Sequence, residues 1–287
     1  MSDKKETKTI NDMKISNYVV GVGGNLRKTT VAIMKTELLR YNFDGTPNGN
    51  QVAVFVTDNH HQELAKVHGT KIKGVQVEPK HDKPLSGVGF FNLREDSEAI
   101  INNLQTYDCN DLIQDNPADS VDYQNALGDI SEFIGIHKDM NKKLLYTLPL
   151  VDAKSLSSID AIYELFAGHD ISNVLFEFVI FEGSMKHEKA YDEFLSAYSS
   201  NPHVQALKKS GQVKEISIDK VIKKEIGQAY VKSMRYNDIV KESKSKALNF
   251  YDFLQIKGMY TEYSNQFLAW LPIVRTPQTN PVILEIV

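Results

Sequence analysis

A glycine-rich segment between an apolar stretch and a periodic stretch most constrains the fold of this chain. Residues 18–20 lead into Gly21-Val-Gly-Gly-Asn-Leu-Arg-Lys-Thr-Thr30. Beyond Lys28, apolar residues recur at steps of three and four: Val31, Met34, Leu38 and Tyr41. This spacing predicts a helix with one buried face. The segment therefore predicts a strand that passes through a glycine loop directly into a helix.

The glycine loop offers the chemistry that phosphate groups need. Its backbone N–H groups and the start of the following helix favour an anion. The Lys28 ammonium would reach the β- and γ-phosphates of a nucleotide, and the Thr29 hydroxyl would ligate Mg²⁺. The exact Walker pattern is not met, because Val22 and Arg27 stand at its two glycine positions, and Leu26 replaces the third glycine of the dinucleotide pattern. A turn that only redirects the chain is the alternative.

A second segment ends a short predicted strand with a carboxylate. Residues 111–115 form the strand, and Asn116-Pro117-Ala118 follow it. P-loop enzymes use such a carboxylate to hold the magnesium shell, which predicts this role for Asp115. Asn116 and Pro117 would then belong to a loop that senses the γ-phosphate. The alternative is that Asp115 caps the helix predicted over residues 120–135.

The strand predicted over residues 51–57 ends at a further carboxylate, Asp58. Ligands of parallel sheets bind at the carboxyl ends of the strands. Asp58 would therefore face the same crevice and could orient or activate the attacking water. A strand-terminal Asp that begins a turn is the alternative.

Strands and helices alternate along most of the chain. Further strands are predicted over residues 144–149, 174–181 and 213–218, with helical segments between them. Alternation of this kind indicates βαβ units, a parallel sheet and right-handed crossovers. The fold class is therefore α/β, and the absence of repeats and obvious linkers favours one domain.

Composition and charge limit the classes of protein to which this chain can belong. The 287 residues carry a formal charge of −4 and include one cysteine, Cys109. A single cysteine cannot form an internal disulfide, which is typical of a protein of the reducing cytosol. No apolar run approaches the roughly 18 residues of a membrane helix. We therefore expect a cytoplasmic protein without a membrane span.

Residues 204–246 are locally basic, with eleven Lys or Arg against five Asp or Glu. Contacts from lysine and arginine to phosphate give affinity for DNA without sequence specificity. The residues predicted for such contacts are Lys223, Lys224, Lys232 and Arg235. A solvated helical face with dispersed lysines is the alternative.

Together these segments resemble the deviant Walker-A P-loop ATPases of the ParA/MinD type. That family has a K-G-G-x-G-K-T-T loop, an acidic end to its second strand and a Y-D-x-x-x-x-D-x-P-A segment. The corresponding residues here are Gly23, Gly24, Asn25, Leu26, Arg27, Lys28, Thr29 and Thr30, then Asp58, then Asp115, Asn116, Pro117 and Ala118. A loop without the family's first lysine is closer to the plasmid-stability and conjugal-transfer branch called StbB or TraL.

The resemblance implies a three-layer P-loop NTPase fold over residues 15–225. Residues 1–14 would be a flexible tail, and residues 226–287 a helical extension packed on the same domain. It implies ATP or ADP and Mg²⁺ as cofactors, bound by the loop with Asn116 and Pro117. ATP hydrolysis would use Lys28, Asp58 and Asp115, and Thr29 and Asp115 would hold the metal.

The resemblance also implies a switch protein in plasmid or DNA-element stability, partition or positioning. Its partners would be a second copy in an ATP-dependent dimer and an adaptor or DNA-binding protein. Two positions depart from the family. Gly23 stands where the signature lysine reaches the partner's nucleotide, and Arg27 replaces the glycine before the catalytic lysine. These departures favour the alternative function, a degenerate P-loop protein with weak or no ATPase activity that acts as a structural partner.

Overall fold

The computed structural model describes residues 13–23, 26–57, 63–96, 98–107, 109–118, 120, 129–185, 188–220, 234–241, 250–278 and 280–287. The strands are β1 (Lys14–Val19), β2 (Val52–Val56), β3 (Lys71–Ile72), β4 (Val75–Gln76), β5 (Gly89–Phe90), β6 (Asp111–Asp115), β7 (Lys142–Leu150), β8 (Val174–Ile180) and β9 (Val213–Ser217). The helices are α1 (Lys28–Arg40), α2 (Glu63–His68), α3 (Ala99–Thr106), α4 (Ile130–Asp139), α5 (Ser157–Phe166), α6 (Glu188–Ser200), α7 (Pro202–Lys209), α8 (Tyr236–Lys241) and α9 (Phe250–Val274).

Seven strands form a parallel central sheet in the order β5-β2-β6-β1-β7-β8-β9. The chain passes from β1 to β2, returns to β6 beside β1, and then crosses to β7 on the other side of β1. The last residue of β1, Val19, pairs with Asp115 of β6 and with Thr147 of β7. Because the direction of strand addition reverses at β1, a ligand crevice is expected at the carboxyl end of this strand.

Helices cover both faces of the sheet, because the side chains of its strands alternate between two apolar clusters. Ile15 and Val19 of β1 lie in one cluster with α1, α2, α8 and α9. Tyr18 lies in the other cluster with α3, α4, α5, α6 and α7. The predicted three-layer α/β fold with a mostly parallel central sheet flanked by helices is therefore confirmed.

Helix α1 is buried on more than the predicted face. Every residue from Val31 to Arg40 is buried, including the charged Lys35 and Glu37. The sheet covers one side of the helix, and α2, α8 and α9 contact its other sides. The prediction of a single buried face is wrong, because elements distant in sequence cover the polar side of α1.

Other boundaries differ from the predictions for local reasons. The helix predicted over 120–135 does not run unbroken: Asp129 is extended, and its side chain accepts a hydrogen bond from the Ser131 N–H, so α4 begins at Ile130. Residues 71–90 contain the hairpin β3–β4 and the edge strand β5.

The end of the chain packs against both sides of the sheet. Helix α9 continues past Pro272 to Val274, because Trp270 and Val274 still face the core. Beyond it, Ile283 forms a bridge with Asp170, and Leu284 is buried in the opposite cluster. Across the described ranges, no helix combines the length and the apolar character needed to cross a bilayer.

Candidate phosphate-binding site

The glycine loop leaves the carboxyl end of β1 and is anchored by α5. The Val22 N–H donates to Ser158 Oγ at 2.9 Å. Gly23 has a φ of +97°, in the left-handed region that favours glycine. A Cβ atom at Gly21 would stand 2.8 Å from Leu26 Cδ1, so the buried Leu26 side chain packs directly against this backbone. The loop is therefore held from β1 and from α5.

Helix α1 begins in a way that leaves its first turn available to an anion. The side chain of its N-cap residue, Arg27, makes no capping hydrogen bond. The first turn of α1 carries no acidic residue. The N–H groups of a first turn have no partner within the helix. Because no carboxylate of this turn competes for them, the start of α1 is electrostatically suited to phosphate.

Arg27 has a left-handed backbone conformation, which favours glycine. Its φ is 61° and its ψ is 23°, which is left-handed and unfavourable for a residue with a Cβ. The guanidinium carbon lies 5.4 Å from the centroid of the Phe181 ring, a cation–π contact at the carboxyl end of β8. Burial lowers the pKa of Arg27. The Arg27 side chain thus packs on the ring of Phe181, which directly follows the last residue of β8.

Lys28 is the first residue of α1 and folds back over the loop. Its Nζ donates to the Gly23 carbonyl oxygen at 3.4 Å. The next two residues, Thr29 and Thr30, are half-buried. Lys28 therefore places its ammonium at the loop.

The predicted magnesium carboxylate lies one strand away from the loop. Asp115 is the last residue of β6, is buried, and pairs in register with Val19 of β1 and Val56 of β2. Asn116 follows, and its N–H donates to the Val19 carbonyl oxygen at 3.2 Å. Sheet register thus brings Asp115 and Asn116 to the same edge as the glycine loop, as the sequence predicted.

Hydrogen bonds from two neighbouring residues fix the Asn116 side chain. Gln114 Nε2 donates to Asn116 Oδ1 at 2.6 Å. Thr57 Oγ1 lies 3.0 Å from the same oxygen and 3.1 Å from the Asp115 carbonyl oxygen. The sequence did not single out Thr57, Gln114 or Ser158. Thr57 and Gln114 are the residues immediately before Asp58 and Asp115, and this adjacency is the only signal that could have found them.

Several predicted residues lie outside the described residues, namely Gly24, Asn25, Asp58, Lys223, Lys224 and Lys232. Arg235 is described, and its Nε and Nη2 lie 2.9 and 3.1 Å from the two carboxylate oxygens of Asp238. Its guanidinium also lies 4.8 Å from the centre of the Tyr41 ring. Contact between this basic segment and DNA stays a prediction. Among the described residues, no three or more His, Cys, Asp or Glu side chains form a metal-binding group.

No protein-family model matches the chain, and no curated protein sequence matches it. The solved structures that are similar to it include the following two. One is the MinC:MinD cell division protein complex of Aquifex aeolicus, at 14% identity and a TM-score of 0.43, over 93% of this chain and 99% of that chain. The other is a plasmid partition protein from Borrelia burgdorferi, at 9% identity and a TM-score of 0.39, over 88% of this chain and 99% of that chain. The assignment of the fold rests on the sheet order described above.

Proposed function

We propose that this chain is a nucleotide-binding switch protein of the ParA/MinD type, which binds ATP or ADP with Mg²⁺ at the carboxyl edge of its sheet. The main support is the position of Lys28. It begins α1 directly after the glycine loop, its ammonium lies against the Gly23 carbonyl, and Asp115 ends the neighbouring strand. A turn that only redirected the chain would need neither the lysine nor the adjacent carboxylate.

The residues present fit a nucleotide and its metal. The first turn of α1 carries no acidic side chain, and its cation, Lys28, lies at the loop. The buried amide nitrogen of Asn116 has no hydrogen-bond partner. A phosphate group would gain from the positive charge of Lys28 and could accept a hydrogen bond from the amide. Both features suit an anion with several acceptor oxygens.

Each residue would act mainly by position and charge. Lys28 and the N–H groups at the start of α1 would bind and orient the phosphate chain. The Thr29 hydroxyl and the Asp115 carboxylate would hold Mg²⁺, which neutralises phosphate charge when bound. Asp58 would orient the attacking water and accept its proton. This division of roles is that of a Mg-dependent ATP hydrolase.

The cellular role that we propose is stability, partition or positioning of a plasmid or another DNA element in the cytoplasm. It rests on the likeness of the glycine loop and of the Asp115–Ala118 segment to the family motifs. ATP would favour a homodimer, and hydrolysis would release it. An adaptor or DNA-binding protein would couple the switch to its cargo. We also propose that the chain belongs to the StbB or TraL branch.

One observation favours a second candidate, a degenerate P-loop protein that acts as a structural partner. Arg27 stands where the family has glycine, and its side chain lies against Phe181. In addition, position 23 holds glycine in place of the lysine that would reach across a dimer. On this second proposal the chain binds nucleotide weakly and does not hydrolyse it.

Binding and hydrolysis of Mg-ATP by the wild type and by Lys28→Ala test the proposal. Loss of a charge-assisted contact to phosphate should weaken binding by about tenfold or more. Lys138→Ala is the matched control, because this exposed lysine lies in the last turn of α4, which leads into the amino end of β7. The control should bind as the wild type does.

The outcomes separate the two candidates. A wild type that does not bind Mg-ATP, or a Lys28→Ala variant that binds it equally well, contradicts the nucleotide switch. Binding that depends on Lys28 without any hydrolysis supports the degenerate protein instead.

A further inference from the structure

A short hairpin presents apolar side chains to solvent outside the candidate phosphate-binding site. Strands β3 and β4 form a two-stranded sheet of their own, and every residue from Lys71 to Val75 is exposed. Ile72 and Val75 are 63% and 70% exposed. They pair directly across the hairpin, so both side chains lie on the same face. This face therefore offers two branched aliphatic side chains together to a partner.

The hairpin has a defined shape. Its two-residue turn consists of Lys73 and Gly74, with φ values of 50° and 81°. Positive φ at both turn residues matches the twist of the two strands. At the base, the Thr70 N–H donates to Asp82 Oδ2 at 2.8 Å, and the Val77 N–H donates to the Thr70 carbonyl oxygen at 2.9 Å. The turn and the base therefore hold the apolar pair in a fixed position.

Positive charge surrounds the apolar pair. Lys71 and Lys73 lie on either side of its first member in sequence, and neither lysine forms an ion pair with another described residue. Residues 64–83 contain five lysines and two acidic residues, although the chain as a whole is negative. One of the two acids, Glu78, is paired with Lys80 at 3.0 Å. The charge of this region therefore favours an anionic partner.

The hairpin follows the end of α1 that lies opposite to the glycine loop. Helix α2 ends at His68, whose ring stacks on that of Tyr41 with 6.4 Å between the ring centroids. Tyr41 is the C-cap of α1, and the 13 residues of this helix, a length of about 20 Å, separate it from the loop. A surface that binds the hairpin can therefore coexist with a nucleotide in the loop.

We propose that the β3–β4 hairpin docks on an anionic lipid surface. Ile72 and Val75 enter the apolar boundary of the lipid layer, and Lys71 and Lys73 contact the phosphate groups of the lipids. Docking of this kind needs apolar burial and charge together, and the hairpin supplies both.

Other partners fit this surface less well. A stable protein interface buries about 800 Å² on each partner, which is much more than the tip of one hairpin offers. A DNA duplex would attract the lysines, but its charged exterior gives the aliphatic pair no apolar interior to enter. A lipid layer needs no complementary pocket and takes up both kinds of side chain.

The experiment measures binding of the full chain to vesicles in the absence of nucleotide. One set of vesicles is phosphatidylcholine alone, and the other has equal parts of phosphatidylcholine and phosphatidylglycerol. The wild type should bind the mixed vesicles at low salt and less at high salt. Ile72→Ser/Val75→Ser should lower the partition coefficient by about tenfold or more. Ile283→Ser is the matched control, because this isoleucine is 59% exposed in another part of the surface, and it should bind as the wild type does.

The role of the lysines is tested in the same assay. Lys71→Gln/Lys73→Gln should lower the partition coefficient by about tenfold or more. Lys71→Arg/Lys73→Arg should bind as the wild type does, because arginine keeps both charges. Lys154→Gln/Lys189→Gln removes the same charge from two exposed lysines that follow β7 and β8, and it should change binding much less.

Three outcomes would overturn this inference. The first is a wild type that does not bind the mixed vesicles or that binds phosphatidylcholine vesicles equally well. The second is an Ile72→Ser/Val75→Ser variant that binds as tightly as the wild type. The third is retention on DNA, without vesicle binding, that depends on Lys71 and Lys73, which would indicate a nucleic-acid surface. Because the assay contains no nucleotide, Lys28→Ala should dock as the wild type does, and failure of the proposed function leaves this inference standing.

Discussion

Lys35 Nζ lies 2.6 Å from Glu177 Oε2, and neither side chain is exposed to solvent. Thr147 Oγ1 lies within 2.7 Å of both groups, and the Tyr263 hydroxyl lies 3.3 Å from the other carboxylate oxygen. Burial lowers the pKa of Lys35, and the carboxylate of Glu177 opposes that effect. The pair therefore joins the helix that follows the glycine loop to β8 and to α9.

Replacing Lys35 by methionine should lower the free energy of unfolding by about 3–5 kcal/mol, because it leaves Glu177 buried and unpaired. The double variant Lys35→Met/Glu177→Leu should recover much of this loss, since no charge then remains without its partner. Urea unfolding of the wild type, both single variants and the double variant measures the coupling.

Lys189→Met is the control for this cycle. Lys189 pairs with Glu193 on the surface of α6 at 3.8 Å, and both side chains are largely exposed. Exposed pairs contribute little, so this variant should unfold as the wild type does. If Lys35→Met and the double variant were equally unstable, the cost would come from packing and not from an unpaired charge.

Arg27→Gly should be more stable than Arg27→Ala by about 1 kcal/mol, because both lose the contact with Phe181 but only glycine tolerates the left-handed backbone. Chemical denaturation of the two variants measures the difference. Glu164 in α5 supplies the reverse control, because it is exposed in a right-handed helix. Here the alanine variant should be more stable than the glycine variant by about 1 kcal/mol. The same order at both positions would contradict a left-handed Arg27.

Glu37 should make the free energy of unfolding fall as the pH rises from about 4.5 to 8. Below about pH 6.5 the buried His68 and His137 act in the opposite direction, so the net decline should appear between about pH 6.5 and 8. The Glu37 carboxylate accepts the N–H groups of Tyr236 and Asn237 at 2.5 and 2.6 Å, but burial dominates and raises its pKa to about 8. In this window the native state keeps a proton that the unfolded chain has released, which destabilises the native state as pH increases.

Glu37→Gln should remove that decline, since glutamine is uncharged at every pH. Its NH₂ group meets one of the two N–H groups that the carboxyl oxygens accept, so the variant should be less stable than the wild type near pH 5, and the difference should shrink toward pH 9. Denaturant unfolding across this range checks the prediction, with Glu164→Gln as the exposed control that should keep the wild-type slope. A slope unchanged in Glu37→Gln would show that this carboxyl titrates normally.

On the acid side, stability should be lost as the pH falls from about 6.5 to 4, and His137 contributes to this loss. Burial lowers its pKa to about 4. Its Nδ1 lies 2.8 Å from the Phe133 carbonyl oxygen and its Nε2 3.0 Å from the Tyr18 hydroxyl, so the neutral ring donates to the first and accepts from the second. In this pH range the unfolded chain binds a proton at His137 that the native ring does not bind, so the native state loses stability as the pH falls.

His137→Gln should flatten this acid decline by as much as about 1.4 kcal/mol per pH unit, which corresponds to one proton. Unfolding free energies at pH 4.5, 5.5 and 6.5 provide the measurement. His68, whose pKa burial lowers to about 3, should still contribute its own acid loss in the variant. An acid slope identical to that of the wild type would exclude His137 as its source.

The parts of the site that are continuous in sequence could be predicted. The strand, glycine loop and helix around Lys28 follow from local pattern, as does the carboxylate of Asp115 at a strand end. The support of Asn116 could not be predicted, because Thr57 and Gln114 meet only through the register between β2 and β6. The burial of Lys35 could not be predicted either, since helices that come much later in the chain, α8 and α9, cover its side of α1.

The order of strands has a consequence for how the protein is made. Strand β1 is synthesised well before its two neighbours in the sheet, β6 and β7, which end at Asp115 and Leu150. Pairings between such distant segments have a high contact order and form slowly. On the ribosome, the strand that carries the glycine loop must therefore wait for its first partner until Asp115 has been made and for its second until Leu150 has been made, so the edge of the sheet that holds this loop cannot form in the earliest stages of folding.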